Sequence, residues 1–368
     1  MATPTGISKR SDGRWSVKYQ GRQTTCKTEA EAKRKLKEMK AMQKMEANIG
    51  RFTVEDAVTH WLTVKRTQVK PSSYDMLERV WQTYIKDNIG EYQFSAVTAY
   101  DVEKILFDLS ERNYSKATIN AVYSFLKCCF QYYYQKGEIP NNPAMNAEIP
   151  TGVHKPRGEI VFYTDEELER IYGSATSTHS TGRPRYPQGW AVVLLGNTGM
   201  RMCELSGLRW ENVDFKKKII HVRETRVYTR DRSPDAQYKY KMTPQSSTKT
   251  KNGQRDIPIN ERALVALQNL HAAGNGCEYV LASTSGKPLG AHSFDSTFRK
   301  ILENAGIPKD KVYGVHALRH SFATNLIRNK VPVKVVSKLL GHGDIAITLK
   351  TYTHVLPEDY ADAVATLD

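Results

Sequence analysis

Apolar and polar residues alternate with a period of two near the start of the chain. Trp15, Val17 and Tyr19 would share one face of a strand, and turn residues flank the segment on both sides. Thr28 with Glu31 three positions later is a capping box that opens a Lys-rich helix. The pattern predicts a three-stranded β-ribbon backed by a helix over residues 1–48.

The opposite face of this ribbon is basic. Arg14 and Lys18 alternate with its apolar residues, and Arg22 follows in the next segment. A basic β-ribbon can enter a DNA groove, so these three side chains are candidate DNA contacts. An ordinary solvated basic face on a small domain fits the pattern equally well.

Helical periodicity dominates residues 53–150. Capping residues and proline predict helix starts at Thr53, Pro71, Thr98 and either Ser115 or Thr118. The last of these helices is rich in Phe and Tyr, which favours core packing over a stacking platform for bases. We expect an all-helical domain here.

A Pro-, Asn- and Gly-rich segment, which includes Lys155 and Arg157, then predicts an interdomain linker whose two cations could touch DNA. Residues 160–368 form the largest block, with a C-terminal tail. Helical patterns surround two strands, at Ile219–Val222 and at residues 256–259, with a polar excursion between them. The fold class is therefore multidomain, mainly α with small β-sheets, and the last domain is α+β.

Composition adds a partner and a compartment. The 368 residues carry a formal net charge of +15, which favours a polyanion, nucleic acid before a membrane surface. The five cysteines form no CxxC pair, so neither a zinc site nor a disulfide framework is expected. No signal peptide or membrane-length apolar run is present in the sequence. We expect a soluble, cytoplasmic protein that does not enter a membrane.

Four short patterns in the last block carry candidate chemistry. They are Thr198–Leu205, the Lys-Thr-Lys segment ahead of Arg255, His316–His320, and Leu340–Gly343 followed by Tyr352. Two arginines suit the charge of a phosphodiester, because each offers a planar fork of donors and stays charged. A lysine can protonate a leaving oxygen, and a tyrosine oxygen can form a covalent intermediate. Each residue alone is weak support, and the argument depends on the ordered set.

These four patterns, in this order, resemble the boxes of the tyrosine recombinase family, which are TGxRxxEL, a hairpin lysine, HxLRH, and LGH followed by a tyrosine. The close resemblance covers residues from about 160 to 355. The blocks before it resemble the arm-binding and core-binding domains of phage and integrative-element integrases. The resemblance implies domains at 1–48, 53–150 and 160–368.

The resemblance also implies roles for individual residues. Arg201 and Arg319 would hold the scissile phosphate, and Tyr352 would attack it to give a 3′-phosphotyrosine and a free 5′-hydroxyl. The remaining expected roles are His316 for hydrogen bonding and proton transfer, His342 at the second histidine position, Glu204 as the carboxylate that orients Arg201, His320 as a supporting residue, and Lys249 as the general acid. Lys251 remains an alternative to Lys249, which begins the Lys-Thr pair before the turn.

Such an enzyme would integrate and excise a mobile element or prophage without metal or other cofactor. Its expected partners are double-stranded DNA at core and arm sites, a homotetramer on two duplexes, an excisionase and a host DNA-bending protein. Two other functions compete with this one. A type IB topoisomerase has a similar active site, and a catalytically silent DNA-binding regulator could keep the fold.

Overall fold

The structure is a computed structural model, and it describes residues 6–19, 22–37, 39, 52–151, 161–233, 235–246 and 254–352. The chain divides into two compact units, Met1–Pro156 and Arg157–Asp368. Among the described residues, no helix combines the length and apolarity needed to cross a bilayer.

The first unit begins with a three-stranded antiparallel sheet in the order β1-β2-β3. Its strands are β1 Gly6–Lys9, β2 Trp15–Tyr19 and β3 Arg22–Cys26. Val17 on β2 and Ala32 on the following helical stretch, residues 29–37, are completely buried. The predicted ribbon backed by a helix is therefore present, with a very small core.

The rest of the first unit is helical, and it contains a second, larger core. The helices are α1 Val54–Gln68, α2 Pro71–Val80, a π-helical turn Trp81–Ile85, α3 Lys86–Ile89, α4 Ala99–Glu111 and α5 Lys116–Gln135. Thr53 and Thr98 each form the predicted capping box, and Ser115 rather than Thr118 caps α5. Local sequence therefore sets these helix starts.

Aromatic side chains fill this helical core. Trp61 on α1 meets Phe125 on α5 edge to face, with ring centroids 5.1 Å apart. Phe130 stacks on Phe94 at 4.7 Å, and the hydroxyl of the buried Tyr133 donates to the carbonyl of Ala57. The prediction that the aromatic residues of α5 pack in the core is confirmed for Phe125, Phe130 and Tyr133.

The second unit combines short helices with two small sheets. Its helices are α6 Asp165–Ala175, α7 Trp190–Thr198, α8 Met202–Gly207, α9 Glu261–Ala273, α10 Ala291–Asn304, α11 His316–Arg328, α12 Val333–Leu340 and α13 Ile345–Tyr352. The strands are β4 Val213–Asp214, β5 Ile219–Val222, β6 Glu224–Arg230, β7 Tyr240–Ser246 and β8 Arg255–Pro258.

The polar excursion between β5 and β8 contains a hairpin that the sequence pattern did not predict. Strands β6 and β7 pair antiparallel from Glu224–Ser246 to Arg230–Tyr240, as a separate two-stranded sheet. Strand β5 pairs with β8 in the other sheet, in the order β4-β5-β8. The hairpin strands lack a clear apolar face, so their alternation carried little signal.

Helix α7 is the centre of the second unit. All its residues from Ala191 to Leu195 are buried, and it packs against α9 on one side and α11 on another. It ends at Gly199, whose φ of 62° lies in the left-handed region. The tight turn after the helix requires this conformation, which glycine adopts without a steric penalty. After this turn the chain enters α8, where the first candidate catalytic residues lie.

Gly199 tests how closely this turn is packed. A Cβ there would lie 2.4 Å from Cδ1 of Phe322, whereas one at Gly276, which has φ 74°, would meet nothing within 4 Å. Both Gly→Ala changes strain the backbone, but G199A must also displace a ring. We expect G199A to lower the free energy of unfolding by roughly 2–4 kcal/mol, against about 1 kcal/mol for the G276A control, in urea titrations. Equal losses would mean that the turn is loosely packed.

Candidate active site

The first arginine of the site lies at the start of α8. Arg201 is the N-cap residue, and its backbone N–H donates to Glu204 Oε2 at 2.7 Å. Its guanidinium donates to Glu204 Oε1 at 2.8 Å, and its side chain keeps 35% of its exposure. One carboxylate therefore fixes both the backbone and the side chain of Arg201, while leaving the guanidinium open to solvent.

Glu204 is also bound by a second arginine. Arg255, the first residue of β8, donates to Oε1 and Oε2 at 2.9 Å each, and its Nε donates to the carbonyl of Leu339 at 2.6 Å. Burial alone would raise the pKa of Glu204, but the bonds and charge of Arg255, followed by the charge of Arg201, outweigh it and lower the pKa to about 2. The carboxylate is therefore charged and fully paired.

Arg255 was not among the sequence-based candidates. Its side chain is 7% exposed, and it joins β8 to Glu204 on α8 and to the end of α12. A signal existed in the sequence, because Arg255 stands two positions before Ile257 and therefore shares the inward face of strand β8 with it. The partner, Glu204, is too distant in sequence to have been identified from spacing.

The second predicted arginine lies on α11 and is almost completely buried. Arg319 is 3% exposed, and its guanidinium donates to the carbonyls of Gly199 and Leu340, both at 2.7 Å. Burial and then the charge of Arg201 lower the pKa of Arg319 to about 9, so it remains charged at neutral pH. Arg319 therefore joins the exit turn of α7 to the end of α12.

His342, directly after α12, has a defined tautomer. Arg319 NH2 lies 3.0 Å from its Nε2, and because guanidinium can only donate, Nε2 must accept. The proton is then on Nδ1, which donates to Thr348 Oγ1 at 2.7 Å. Burial, followed by the charge of Arg319, lowers the pKa of His342 to about 4, which agrees with a neutral ring.

The predicted nucleophile is buried next to a histidine. Tyr352, the last residue of α13, is 2% exposed and packs against Ala323, Ile327 and Leu340. Its hydroxyl lies 2.8 Å from Nδ1 of His320. Burial raises the pKa of Tyr352 to about 12, and the charge of Arg319 acts in the opposite direction. The phenol is therefore protonated at neutral pH.

His316 is the first residue of α11 and is exposed. Nevertheless, the protein atoms around its ring, and then the charges of Arg319 and Arg201, lower its pKa. Its ring meets that of His320 edge-on, with centroids 4.8 Å apart. One turn of α11 thus brings His316, Arg319 and His320 to the same side of the helix.

The other predicted site residues lie elsewhere or outside the described residues. Lys249, Lys251, Lys155 and Arg157 belong to segments that the structure does not describe. The three candidate DNA contacts of the N-terminal sheet lie on the β-ribbon. Arg14 is exposed ahead of β2, Lys18 is half-buried on β2, and Arg22 begins β3.

A recess of about 400 Å³ adjoins the site. Its lining includes Arg255, His342 and Lys338, together with Gln254, the residue that follows the segment containing Lys249. In the part of the chain that the structure describes, no three His, Cys, Asp or Glu side chains gather in a group that could hold a metal ion. The carboxylate of Asp256 lines the recess as well, beside the cationic Lys338 and Arg255.

The Glu204 ion-pair network makes stability depend on pH. The folded-state pKa of about 2 lies below the ordinary glutamate value of 4.5, so it gives stability that is present above pH 4.5 and lost as pH falls towards 2. Glu204→Gln should therefore reduce the free energy of unfolding by about 3 kcal/mol at pH 7, and the deficit should shrink below pH 4. Denaturant titrations at several pH values measure this deficit in the free energy of unfolding. Glu211→Gln, at an exposed position, is the control. A deficit independent of pH would contradict the assignment of charge to Glu204.

Comparisons with known proteins agree with this geometry. The phage integrase family model matches residues 162–359, more than half of the chain. A XerC-like tyrosine recombinase from Caldanaerobacter subterraneus subsp. tengcongensis is 32% identical over 338 residues, which cover 86% of this chain and 83% of the relative. The transposase of transposon Tn916 from Enterococcus faecalis is 24% identical over 283 residues, covering 73% of this chain and 66% of the relative.

Solved structures show the same fold. The integrase of transposon Tn1549, in complex with a circular intermediate DNA, matches 86% of this chain and 98% of its own with a TM-score of 0.68 and 22% identity. A lambda integrase tetramer bound to a Holliday junction matches 96% and 95% with a TM-score of 0.59 and 14% identity. The family match, the XerC-like relative and the shared fold lead to one conclusion: the chain belongs to the tyrosine recombinases of the phage integrase family, which carry out site-specific recombination of DNA.

Proposed function

We propose that this recombinase cuts and rejoins DNA through a covalent bond between Tyr352 and a 3′-phosphate, and that it integrates and excises a mobile element. The observation that supports this most strongly is that neighbouring protein groups hold one tyrosine hydroxyl and two arginine side chains in place. Helix α11 carries Arg319 and contacts Tyr352 through His320, while Glu204 holds Arg201 at the facing helix terminus. A phosphodiester between these groups would meet two cationic forks and one oxygen nucleophile.

The arginines would hold the non-bridging oxygens of the scissile phosphate. Arg201 has a half-exposed guanidinium oriented by Glu204, so it can bind an oxygen without reorganising. Arg319 spends one donor on His342 Nε2, a bond that a phosphate oxygen can replace. His342 could then take its proton on Nε2 and donate to the same phosphate, and exposed His316 could donate from the other side.

A lysine from the segment before β8 would protonate the leaving 5′-oxygen. Lys249 lies a few residues before Gln254, which lines the recess next to His342, and a chain spans at most roughly 3.5 Å per residue. This tether keeps Lys249, five residues before Gln254, within reach of the phosphate, and Lys251, three residues before it, is an alternative. With a lysine as acid and a tyrosine as nucleophile, the reaction needs no cofactor.

The first unit and the linker after it would supply the remaining DNA contacts. We infer domains at 1–48, 53–150 and 160–368, with Arg14, Lys18 and Arg22 reading an arm site and Lys155 and Arg157 contacting the backbone of the core site. The integrase of Tn1549 and the lambda integrase, which share this fold, are bound to DNA in their structures. By analogy, four copies would act on two duplexes in the cytoplasm, with an excisionase and a DNA-bending protein as accessory partners.

Two other functions are less well supported. A type IB topoisomerase would have no use for the N-terminal β-ribbon or for recombination partners, and the relatives are recombinases and transposases. A silent DNA-binding regulator would not need a tyrosine buried against a histidine beside two paired arginines, since binding requires none of that arrangement.

Loss of the phenol should abolish covalent chemistry. A nicked suicide substrate made from the element's own ends, incubated with wild type in EDTA, should give a protein–DNA adduct on a denaturing gel. Tyr352→Phe should bind the same DNA but form no adduct, because its ring has no nucleophilic oxygen. Tyr360→Phe, which removes the hydroxyl of a tyrosine eight residues later in the chain, is the matched control and should still react. An adduct with Tyr352→Phe would disprove the assignment.

Removal of the β-ribbon should separate cleavage from recombination. Deleting residues 1–48 should leave cleavage of the core site intact, since the candidate catalytic residues lie in the second unit, but should strongly reduce recombination between complete sites. In the full chain, Arg14→Gln with Lys18→Gln should weaken binding to arm DNA and reduce its salt slope by about 2. Lys33→Gln, which removes a cation already paired with Glu29, is the control. Unchanged recombination by the deletion would remove the arm-binding role.

A further inference from the structure

The hydroxyl of Tyr352 has one hydrogen-bond partner among the described residues. His320 Nδ1 lies 2.8 Å from it, and the two ring centroids are 5.9 Å apart at an angle of 59°. The HxLRH pattern gave His320 a supporting place only, and the roles set out above do not use it. His320 nevertheless contacts the proposed attacking atom directly.

The direction of this hydrogen bond follows from the donors around it. A buried hydroxyl must donate its proton to an acceptor, because an unsatisfied donor costs about 1–3 kcal/mol. Arg319, the neighbouring cation, can only donate, so it cannot serve as that acceptor. His320 Nδ1 is the acceptor in reach, and the proton of its ring is then on Nε2.

His316 cannot take the same place in this arrangement. It lies one turn before His320 on α11, and the two rings meet edge to face at 4.8 Å. The phenol donates its hydrogen bond to the ring of His320, while His316 is exposed at the helix start. The two histidines of the HxLRH pattern therefore face different atoms.

The surroundings of His320 keep its ring neutral. Its own helix brings His316 and Arg319, α13 brings Tyr352, α7 brings no titratable side chain, and α12 brings Lys334 and Lys338, both exposed. Burial, then His316 and then Arg319 lower the pKa of His320 to about 4. The ring is thus neutral throughout the neutral range, and Nδ1 can accept the hydrogen bond of the phenol.

We propose that His320, and not His316, takes the phenolic proton as Tyr352 attacks the phosphorus. This inference rests on the proposed function, since it needs Tyr352 to be the nucleophile. His320 contacts the reacting oxygen directly, so it acts as a catalytic base and not through another residue. It also holds the phenol in place before DNA is cut.

The step balances without any further reactant. The Tyr352 oxygen forms a bond to phosphorus while its O–H bond breaks and the proton moves to Nδ1 of His320. The bond from phosphorus to the 5′-oxygen breaks, and its electron pair takes a proton from the lysine acid proposed above. In rejoining, the 5′-hydroxyl attacks phosphorus, and His320 returns the proton to the departing phenol oxygen.

Two variants of His320 separate a base from a simple hydrogen-bond acceptor. His320→Asn keeps a carbonyl oxygen near the position of Nδ1 but cannot accept a proton, and His320→Ala removes both functions. We expect both to form the suicide adduct at least about 100-fold more slowly than wild type at pH 7. Their rates should rise with pH as solvent base takes over, whereas the wild-type rate should stay level between about pH 6 and pH 9. Added imidazole should partly restore His320→Ala.

A second substrate distinguishes this step from protonation of the leaving group. A DNA with sulfur in place of the scissile 5′-oxygen needs no general acid, so it should rescue Lys249→Ala but leave the defect of His320→Ala unchanged. Melting temperature and DNA binding show that the variants are folded. A wild-type rate for His320→Asn, or a defect without altered pH dependence, would overturn the inference while leaving Tyr352 as nucleophile. No adduct from wild type would overturn the proposed function itself.

Discussion

A single buried carboxylate organises the cations of this site. Glu204 is 4% exposed and accepts from both Arg201 and Arg255, which come from α8 and β8. Without it, two guanidinium groups would lie close together in a poorly solvated region and repel one another. Because Arg255 also bonds the carbonyl of Leu339, the same ion pair fixes the end of α12, and with it the loop that carries His342.

Packing and chemistry use the same residues at the C-terminal helices. Tyr352 belongs to a small apolar core with Val336 of α12 and Ile327 of α11, so the position of its oxygen follows from how three helices pack. Arg319 is anchored by two backbone carbonyls at the ends of α7 and α12. The side chains proposed to react are therefore fixed by rigid elements, as the orientation of a phosphate within a fraction of an ångström would require.

Sequence reasoning succeeded where the signal is local. The capping boxes at Thr53 and Thr98 depend on residues a few positions apart, and the structure has them as predicted. It failed where the decisive partner is distant. The β6–β7 hairpin has no apolar face to reveal it, and the bonds of Arg255 to Glu204 and of His320 to Tyr352 join separate elements.

The most direct test of the proposed mechanism identifies the protein atom to which DNA becomes attached. The covalent complex trapped on a suicide substrate would be digested with trypsin and nuclease, and the modified peptide sequenced by tandem mass spectrometry. The peptide after Lys350 contains both Tyr352 and Tyr360, and fragmentation between them distinguishes the two. We expect a nucleotide on the oxygen of Tyr352. Attachment to Tyr360, or to a residue outside this peptide, would contradict it.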